Sequence, residues 1–318
     1  MSFSVGIIGL GMIGEKMLEK FIKHPSFNVA VCGDLNQKVS NQVQAKFPSI
    51  HICNNAEQII ENPKIELVYI ATPPKTHIEY GQRVIDANKA LFMEKPLAID
   101  ISKSEKLVKK AEIKGCLTGM NFGYGAGPIV DTLENALTNK EIGSTQSIEI
   151  RYEFPSWPLP NQLSAASWIT NKHTGGMVRE MFSHHVYLIH RLFGLLTVNS
   201  VEIYYPDRRG TAEECILATL STGGIPVRFM GGIGSPQTPR NSNITINGKR
   251  GSLRISEGQQ LLYAQDGTWK EFKVDNSRTS VEARLDQLDE RLSGQDNKLP
   301  TLRDGFEVQR VIEELLST

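Results

Sequence analysis

Over the first ~120 residues, short apolar runs alternate with amphipathic stretches, and this rhythm most constrains what the chain can fold into. Val5–Ile8, Val29–Cys32, Leu67–Ala71, Leu91–Met93 and Leu117–Gly119 read as strands buried on both faces. Met12–Lys23, Gln37–Phe47, Ala56–Glu61, Ile78–Asn88 and Ser102–Lys114 lie between them with helical periodicity. Strand, helix and strand in that order require right-handed crossovers and predict a doubly wound parallel sheet.

Beyond Asn121 the pattern changes. A helix at Ile129–Thr138, a strand at Ser147–Glu153 and a Pro-rich loop, Pro155–Pro160, precede a longer helical stretch, Met177–Phe193, which Gly194 would cap. From Ser200 to Val274 come seven β segments: Val201–Tyr205, Ile216–Ser221, Val227–Met230, Asn243–Ile246, Ser252–Ile255, Gln260–Tyr263 and Lys270–Val274. The turn pairs Gly223-Gly224, Asn247-Gly248 and Asp266-Gly267 point to hairpins in a mostly antiparallel sheet. Helices at Val281–Leu292 and Arg303–Leu316 close the sequence. The expected fold class is α/β plus α+β, with residues 1–120 as the parallel-sheet domain and 121–318 as a second domain built on a large, open, mostly antiparallel sheet.

A chain of 318 residues is long enough for two such cores. Lys plus Arg (35) equals Asp plus Glu (35), so no global field draws it to nucleic acid or anionic lipid. No apolar run approaches the ~20 residues that cross a bilayer. The start, Met1-Ser2-Phe3-Ser4-Val5, lacks a signal-peptide pattern. Cys32, Cys53, Cys116 and Cys215 are scattered, which argues against a disulfide framework or zinc ribbon. These features predict a cytoplasmic protein with no nucleic-acid, membrane or metal partner.

Gly9-Leu10-Gly11-Met12-Ile13-Gly14 falls where the first strand opens into the first helix, as a dinucleotide-binding fingerprint requires. The first glycine would make the turn, the second would admit a pyrophosphate, and the third would let helix and strand approach. The helix start then offers N–H groups to phosphate. Asp34, 20 residues after Gly14, stands where a carboxylate can accept from ribose hydroxyls. It would repel a 2′-phosphate, and neither Leu35 nor Asn36 supplies a cation, so NAD is expected rather than NADP. The plainer reading makes the glycines a turn and Asp34 a helix cap. Two further loops leave the carboxyl ends of strands: Ala71-Thr72-Pro73-Pro74, and Glu94-Lys95-Pro96, which could equally be an exposed ion pair at a strand end.

Together, Gly9-x-Gly11-x-x-Gly14, Ala71-Thr72-Pro73 with His77, and Glu94-Lys95-Pro96-Leu97 resemble the Gfo/Idh/MocA oxidoreductases. The resemblance continues through Glu141-Ile142-Gly143, Gly175-Gly176 with Glu180 and His184, and Pro300-Thr301-x-x-Asp304-Gly305. It implies a Rossmann domain followed by an α+β domain that binds substrate and forms a homodimer or homotetramer through its sheet. It also implies hydride transfer between nicotinamide and a sugar, cyclitol or related hydroxyl or oxo compound. Gly9, Gly11, Met12, Ile13, Gly14, Asp34, Thr72, Pro73, His77, Glu94 and Lys95 would then contact the cofactor. Lys95, Asn121, Tyr124, Glu180 and His184 would contact the substrate, with Lys95, His184 and Glu180 catalytic.

On an α-helix the four-residue spacing of Glu180 and His184 places both on one face. The same spacing suits a metal, but no third ligand is evident. Glu180 replaces the family's usual Asp. Tyr187 stands where many relatives carry another Asp, and Ile169 where Arg is frequent, which points to a less polar pocket. The same resemblance also admits an NAD-dependent glycoside hydrolase or a non-catalytic nucleotide-sensing regulator.

Overall fold

Six strands, β1 (Phe3–Ile8), β2 (Phe27–Gly33), β3 (His51–Cys53), β4 (Leu67–Ile70), β5 (Ala90–Met93) and β6 (Thr118–Met120), form one sheet in the order β3-β2-β1-β4-β5-β6. Every neighbouring pair is parallel. The computed structural model describes residues 2–257 and 259–317. Helices α1 (Met12–Lys23), α2 (Gln37–Lys46), α3 (Ala56–Glu61), α4 (His77–Asp86) and α5 (Ile101–Ile113) make the crossovers. Only β3 was not anticipated: three residues at the sheet edge carry too short an apolar run to register as a strand.

The strand order reverses between β1 and β4, so the carboxyl ends of these strands diverge and open a ligand crevice. Met17, Leu18 and Phe21 of α1 are buried against Val5, Ile7, Val29 and Tyr69 of the sheet. Phe21 also meets Phe27 edge-on, with ring centroids 5.1 Å apart.

In the second half, α6 (Pro128–Thr138) leads to β7 (Thr145–Phe154), and α7 (Ala166–Ile169) follows the Pro-rich loop. A π-helical turn at Val178–Phe182 runs into α8 (Ser183–Phe193). Strands β8 (Thr197–Tyr204), β9 (Cys215–Thr222), β10 (Ile225–Ile233), β11 (Asn241–Gly248), β12 (Gly251–Ile255), β13 (Leu261–Ala264) and β14 (Lys270–Glu271) join β7. Their order is β14-β13-β12-β11-β7-β10-β9-β8. All pairs are antiparallel except β7 with β10. Ile148, Ile150, Tyr152 and Phe154 of β7 alternate onto the buried face, where the Phe229 ring stacks on Phe182 at 3.6 Å. The opposite face carries the ion pairs Arg151–Glu153 and Arg228–Glu149.

The compact units do not follow a single cut at residue 120. One comprises 1–125 with 280–306, the other 126–279 with 307–318. Helix α9 (Ser280–Leu292) therefore packs with the parallel sheet, although its place in the sequence assigns it to the second domain. Its Leu285 and Leu288 join the first unit's core; Glu282 lies 3.0 Å from Lys20 of α1, and Asp286 3.0 Å from His24, which caps the end of that helix. An amphipathic stripe specifies that a helix packs, but not against which sheet. The chain ends in α10 (Leu302–Leu316).

Candidate active site

The residues of interest form two groups, one in each unit. In the first unit the backbone turns sharply after β1. Gly9 has φ +96°, and a Cβ there would stand 2.7 Å from the Ala71 carbonyl. A Cβ on Gly14 would come within 2.0 Å of the Gly9 carbonyl oxygen, so helix and strand can touch only through a glycine. Gly11 differs: nothing lies within 4 Å of the position its Cβ would take. It is the N-cap of α1 and no side chain caps it. Met12 and Ile13 are exposed beside it.

Asp34, at the end of β2, reaches this loop. Its Oδ2 accepts the Leu10 N–H at 2.8 Å and its Oδ1 accepts the Asn36 N–H at 2.8 Å. The cap of α2 is Asn36 rather than Asp34. Glycine loop, open middle position and neighbouring carboxylate thus fit the pyrophosphate and ribose of a dinucleotide.

After β4, Pro73 is exposed and the Thr72 hydroxyl accepts from Thr76 at 2.8 Å. His77, expected to contact cofactor, has no exposed surface. Its Nε2 lies 2.7 Å from the Thr72 carbonyl, and its Nδ1 lies 2.9 Å and 3.2 Å from those of Pro96 and Leu97. Burial pushes its pKa down. His77 therefore fastens the Thr72 loop to the Lys95 loop.

Lys95 follows β5, is partly exposed, and precedes Pro96 through a cis peptide bond. The carboxylate of Glu94 turns inward, so it is not the exposed ion-pair partner that its position at a strand end suggests. Its Oε1 accepts from the Tyr69 hydroxyl and, at 2.5 Å, from Asn121 Nδ2. Burial pushes the Glu94 carboxyl up, while Tyr69, Asn121, Lys95 and Arg284 pull it down. The amide of Asn121 is fully engaged, since its Oδ1 accepts from Arg284 Nε at 2.7 Å. Asn121 and Tyr124 are both buried. Arg284, on α9, was missed by the sequence reading. The available signal was a lone charge on the stripe that carries Val281, Leu285 and Leu288.

In the second unit, Gly175 and Gly176 precede the π-helical turn. A Cβ on Gly175 would meet the Ile169 carbonyl oxygen at 2.3 Å. Gly176 has φ +104°, and its Cβ would collide with the Glu213 carboxylate at 2.4 Å. Glu213 is completely buried. Its Oε1 accepts the Val178 N–H at 2.7 Å, and burial pushes its carboxyl up. Arg179 forks onto both Glu313 oxygens at 2.7 and 2.6 Å and also donates to the Lys172 and Gly175 carbonyls.

Glu180 is buried within the π-helical turn and His184 is partly exposed on α8. The π winding at Glu180 runs directly into the α-helical turn that carries His184. Tyr187 is buried. His185 is buried against Tyr152, whose hydroxyl contacts its Nδ1, and burial pushes its pKa down to about 3. That histidine is a neutral packing residue. Among the described residues no cluster of His, Cys, Asp and Glu could hold a metal, and no helix is long and apolar enough to cross a membrane.

Residues 3–122 match the oxidoreductase family's NAD-binding Rossmann fold, and residues 134–316 match its C-terminal alpha/beta domain. The chain belongs to the Gfo/Idh/MocA family. This family member is 22% identical to the scyllo-inositol 2-dehydrogenase (NADP(+)) IolW of Bacillus subtilis, over 84% of this chain and 70% of that protein. An oxidoreductase from Agrobacterium radiobacter, solved with NAD+, L-tartaric acid and magnesium, has the same fold. Its TM-score is 0.86 at 14% identity, covering 100% of this chain and 97% of that one. Biliverdin reductase from Synechocystis sp. PCC 6803, solved with biliverdin and NADP+, gives 0.81 at 20% identity over 99% and 98%. The protein is therefore an oxidoreductase with an NAD(P)-binding Rossmann domain.

Proposed function

We propose that this oxidoreductase moves a hydride between NAD, in preference to NADP, and a sugar, cyclitol or related small hydroxyl or oxo compound. The observation that carries the reading is the loop at Gly11, closed tightly by Gly9 and Gly14 on either side, open at its middle, and flanked by the Asp34 carboxylate. A carboxylate there accepts from ribose hydroxyls and repels a 2′-phosphate, which supports NAD. The inositol dehydrogenase among the relatives supports a polyhydroxylated substrate.

When bound, the dinucleotide supplies the hydride acceptor or donor. Lys95 donates a hydrogen bond to the reacting oxygen and stabilises negative charge developing there. His184 takes the hydroxyl proton, a role suited to imidazole, whose unperturbed pKa is about 6.5. Glu180 orients His184 or the substrate. In the same reading residues 1–120 bind dinucleotide and residues 121–318 bind substrate. Copies of the chain associate as a dimer or tetramer through the open sheet face, and the setting is cytoplasmic.

Fluorescence titration with NADH and NADPH tests the cofactor. A panel of sugars, inositols and amino sugars, followed through nicotinamide absorbance, tests the substrate class. We expect tighter NADH binding, net NADH formation with at least one polyol, and losses of about 100-fold or more in kcat for Lys95→Met and His184→Ala. Tighter NADPH binding overturns the NAD preference, and activity that survives both substitutions removes the catalytic assignment. Turnover of a nitrophenyl glycoside without net NADH would replace it with the hydrolase.

A further inference from the structure

We propose that Asp34 is a positioning residue as well as a ribose acceptor: its carboxylate holds the peptide ahead of Gly11 in the orientation that lets the glycine loop receive a pyrophosphate. This rests on the reading of that loop as the dinucleotide site, and adds a second role to a side chain which that reading already uses.

Two successive amides tie the glycine loop to the end of β2. Gly9 N–H donates to the Gly33 carbonyl at 2.8 Å, and Leu10 N–H donates to Asp34 Oδ2 at 2.8 Å. The first bond is backbone to backbone and any residue at 33 supplies its carbonyl. The second needs a side-chain acceptor reaching over from a different strand. Asp34 Oδ1 meanwhile accepts the Asn36 N–H at 2.8 Å, closing a turn over its own loop, and Ser40 Oγ donates to the Asp34 carbonyl at 3.2 Å. One N–H on each oxygen thus fixes the carboxylate in place.

A carboxylate offers about four lone-pair positions, two on each oxygen. The backbone takes one on each, which leaves one on each for a vicinal pair of ribose hydroxyls. The bracing and binding roles therefore do not compete for the same lone pairs.

Leu10 stands between Gly9, with φ +96°, and Gly11, so neither neighbour has a side chain to restrain the peptide planes on either side of it. The Leu10 side chain is buried, and the Asp34 bond fixes its N–H. The amides that follow precede the first intrahelical bond of α1, from Glu15 N–H to the Gly11 carbonyl at 2.9 Å, and are the donors a pyrophosphate would meet. Setting their direction before the ligand arrives removes part of the ordering cost of binding.

Two measurements test the brace. Amide hydrogen exchange, resolved by NMR on the cofactor-free chain, should show the Leu10 N–H of Asp34→Ala exchanging about tenfold faster or more, with Val5, Gly6 and Ile7 of β1 unchanged. The second is titration with NADH whose adenosine ribose lacks both hydroxyls, which removes the ribose contact from the comparison. Asp34→Ala should bind this analogue about tenfold more weakly than wild type. Losing a negative charge beside the phosphates would by itself tighten binding, so weaker binding reports the loop. Asp34→Asn, with one acceptor oxygen in place of two, should fall between them.

Wild-type protection of the Leu10 amide in Asp34→Ala overturns the proposal. So does equal or tighter binding of the analogue, since Asp34 then acts through the ribose alone. Failure of the wild-type chain to bind NADH sinks the dinucleotide reading, and the exchange measurement, made without cofactor, distinguishes that result from failure of the brace.

Discussion

Two glycine loops, one in each unit, solve the same local problem with different anions. Both stand before the start of a helical segment, and both need glycine because a Cβ would strike a neighbour: Gly14 against the Gly9 carbonyl, Gly176 against the Glu213 carboxylate. At Gly176 the anion is the chain's own, since Glu213 accepts the Val178 N–H and occupies the position a side chain would take. At Gly11 the corresponding space is open and no side chain caps the helix. A helix start completed by an internal carboxylate is structural, whereas one left open beside Asp34 is suited to a ligand that brings its own negative charge.

Substitutions that add volume to one loop or the other separate these roles by their effect on stability. Gly14→Ala should be the most damaging. The obstacle is backbone at 2.0 Å, so strand and helix must part, and we expect about 3 kcal/mol of destabilisation by urea unfolding together with loss of NADH binding. Gly176→Ala comes next, at about 2 kcal/mol, from positive φ and the collision with Glu213; NADH affinity should be unchanged because the phosphate loop is untouched.

Glu213→Gln should cost about 1 kcal/mol or less, because an amide oxygen can still accept the Val178 N–H. Its pH dependence is more telling. Burial holds the Glu213 acid above its ordinary 4.5, so the folded chain keeps a proton that the unfolded chain releases. This contribution to stability is full below pH 4.5 and declines as pH rises through the folded value. The glutamine variant lacks that decline. Its stability relative to wild type should therefore improve as pH climbs from 4.5, and a constant gap across that range would show Glu213 to be ionised throughout.

The parallel sheet was largely legible because every buried strand but one is a continuous apolar run and every crossover helix is amphipathic. The glycine loop and Asp34 were legible for the same reason, being set by backbone demands local in sequence. What escaped depends on contacts between distant residues. The packing of α9 on the first unit could not be read from its stripe, and with it went the partners of Asn121 and Glu94. Imidazole surrounded by carbonyls and imidazole facing a ligand look alike in sequence, so the Thr72, Pro96 and Leu97 partners of His77 were not legible there. The π-helical turn at Val178–Phe182 likewise leaves no periodic mark over five residues.

The smallest effect on stability and the sharpest test of the comparison come from Gly11→Val. The space at that position is open, so Tm should stay within about 2 °C of wild type. NADH titration followed by nicotinamide fluorescence should show affinity reduced about 100-fold or beyond detection, because the added side chain stands where a pyrophosphate must approach. Wild-type NADH affinity in a fully folded Gly11→Val protein would contradict the assignment of this loop as the dinucleotide cradle.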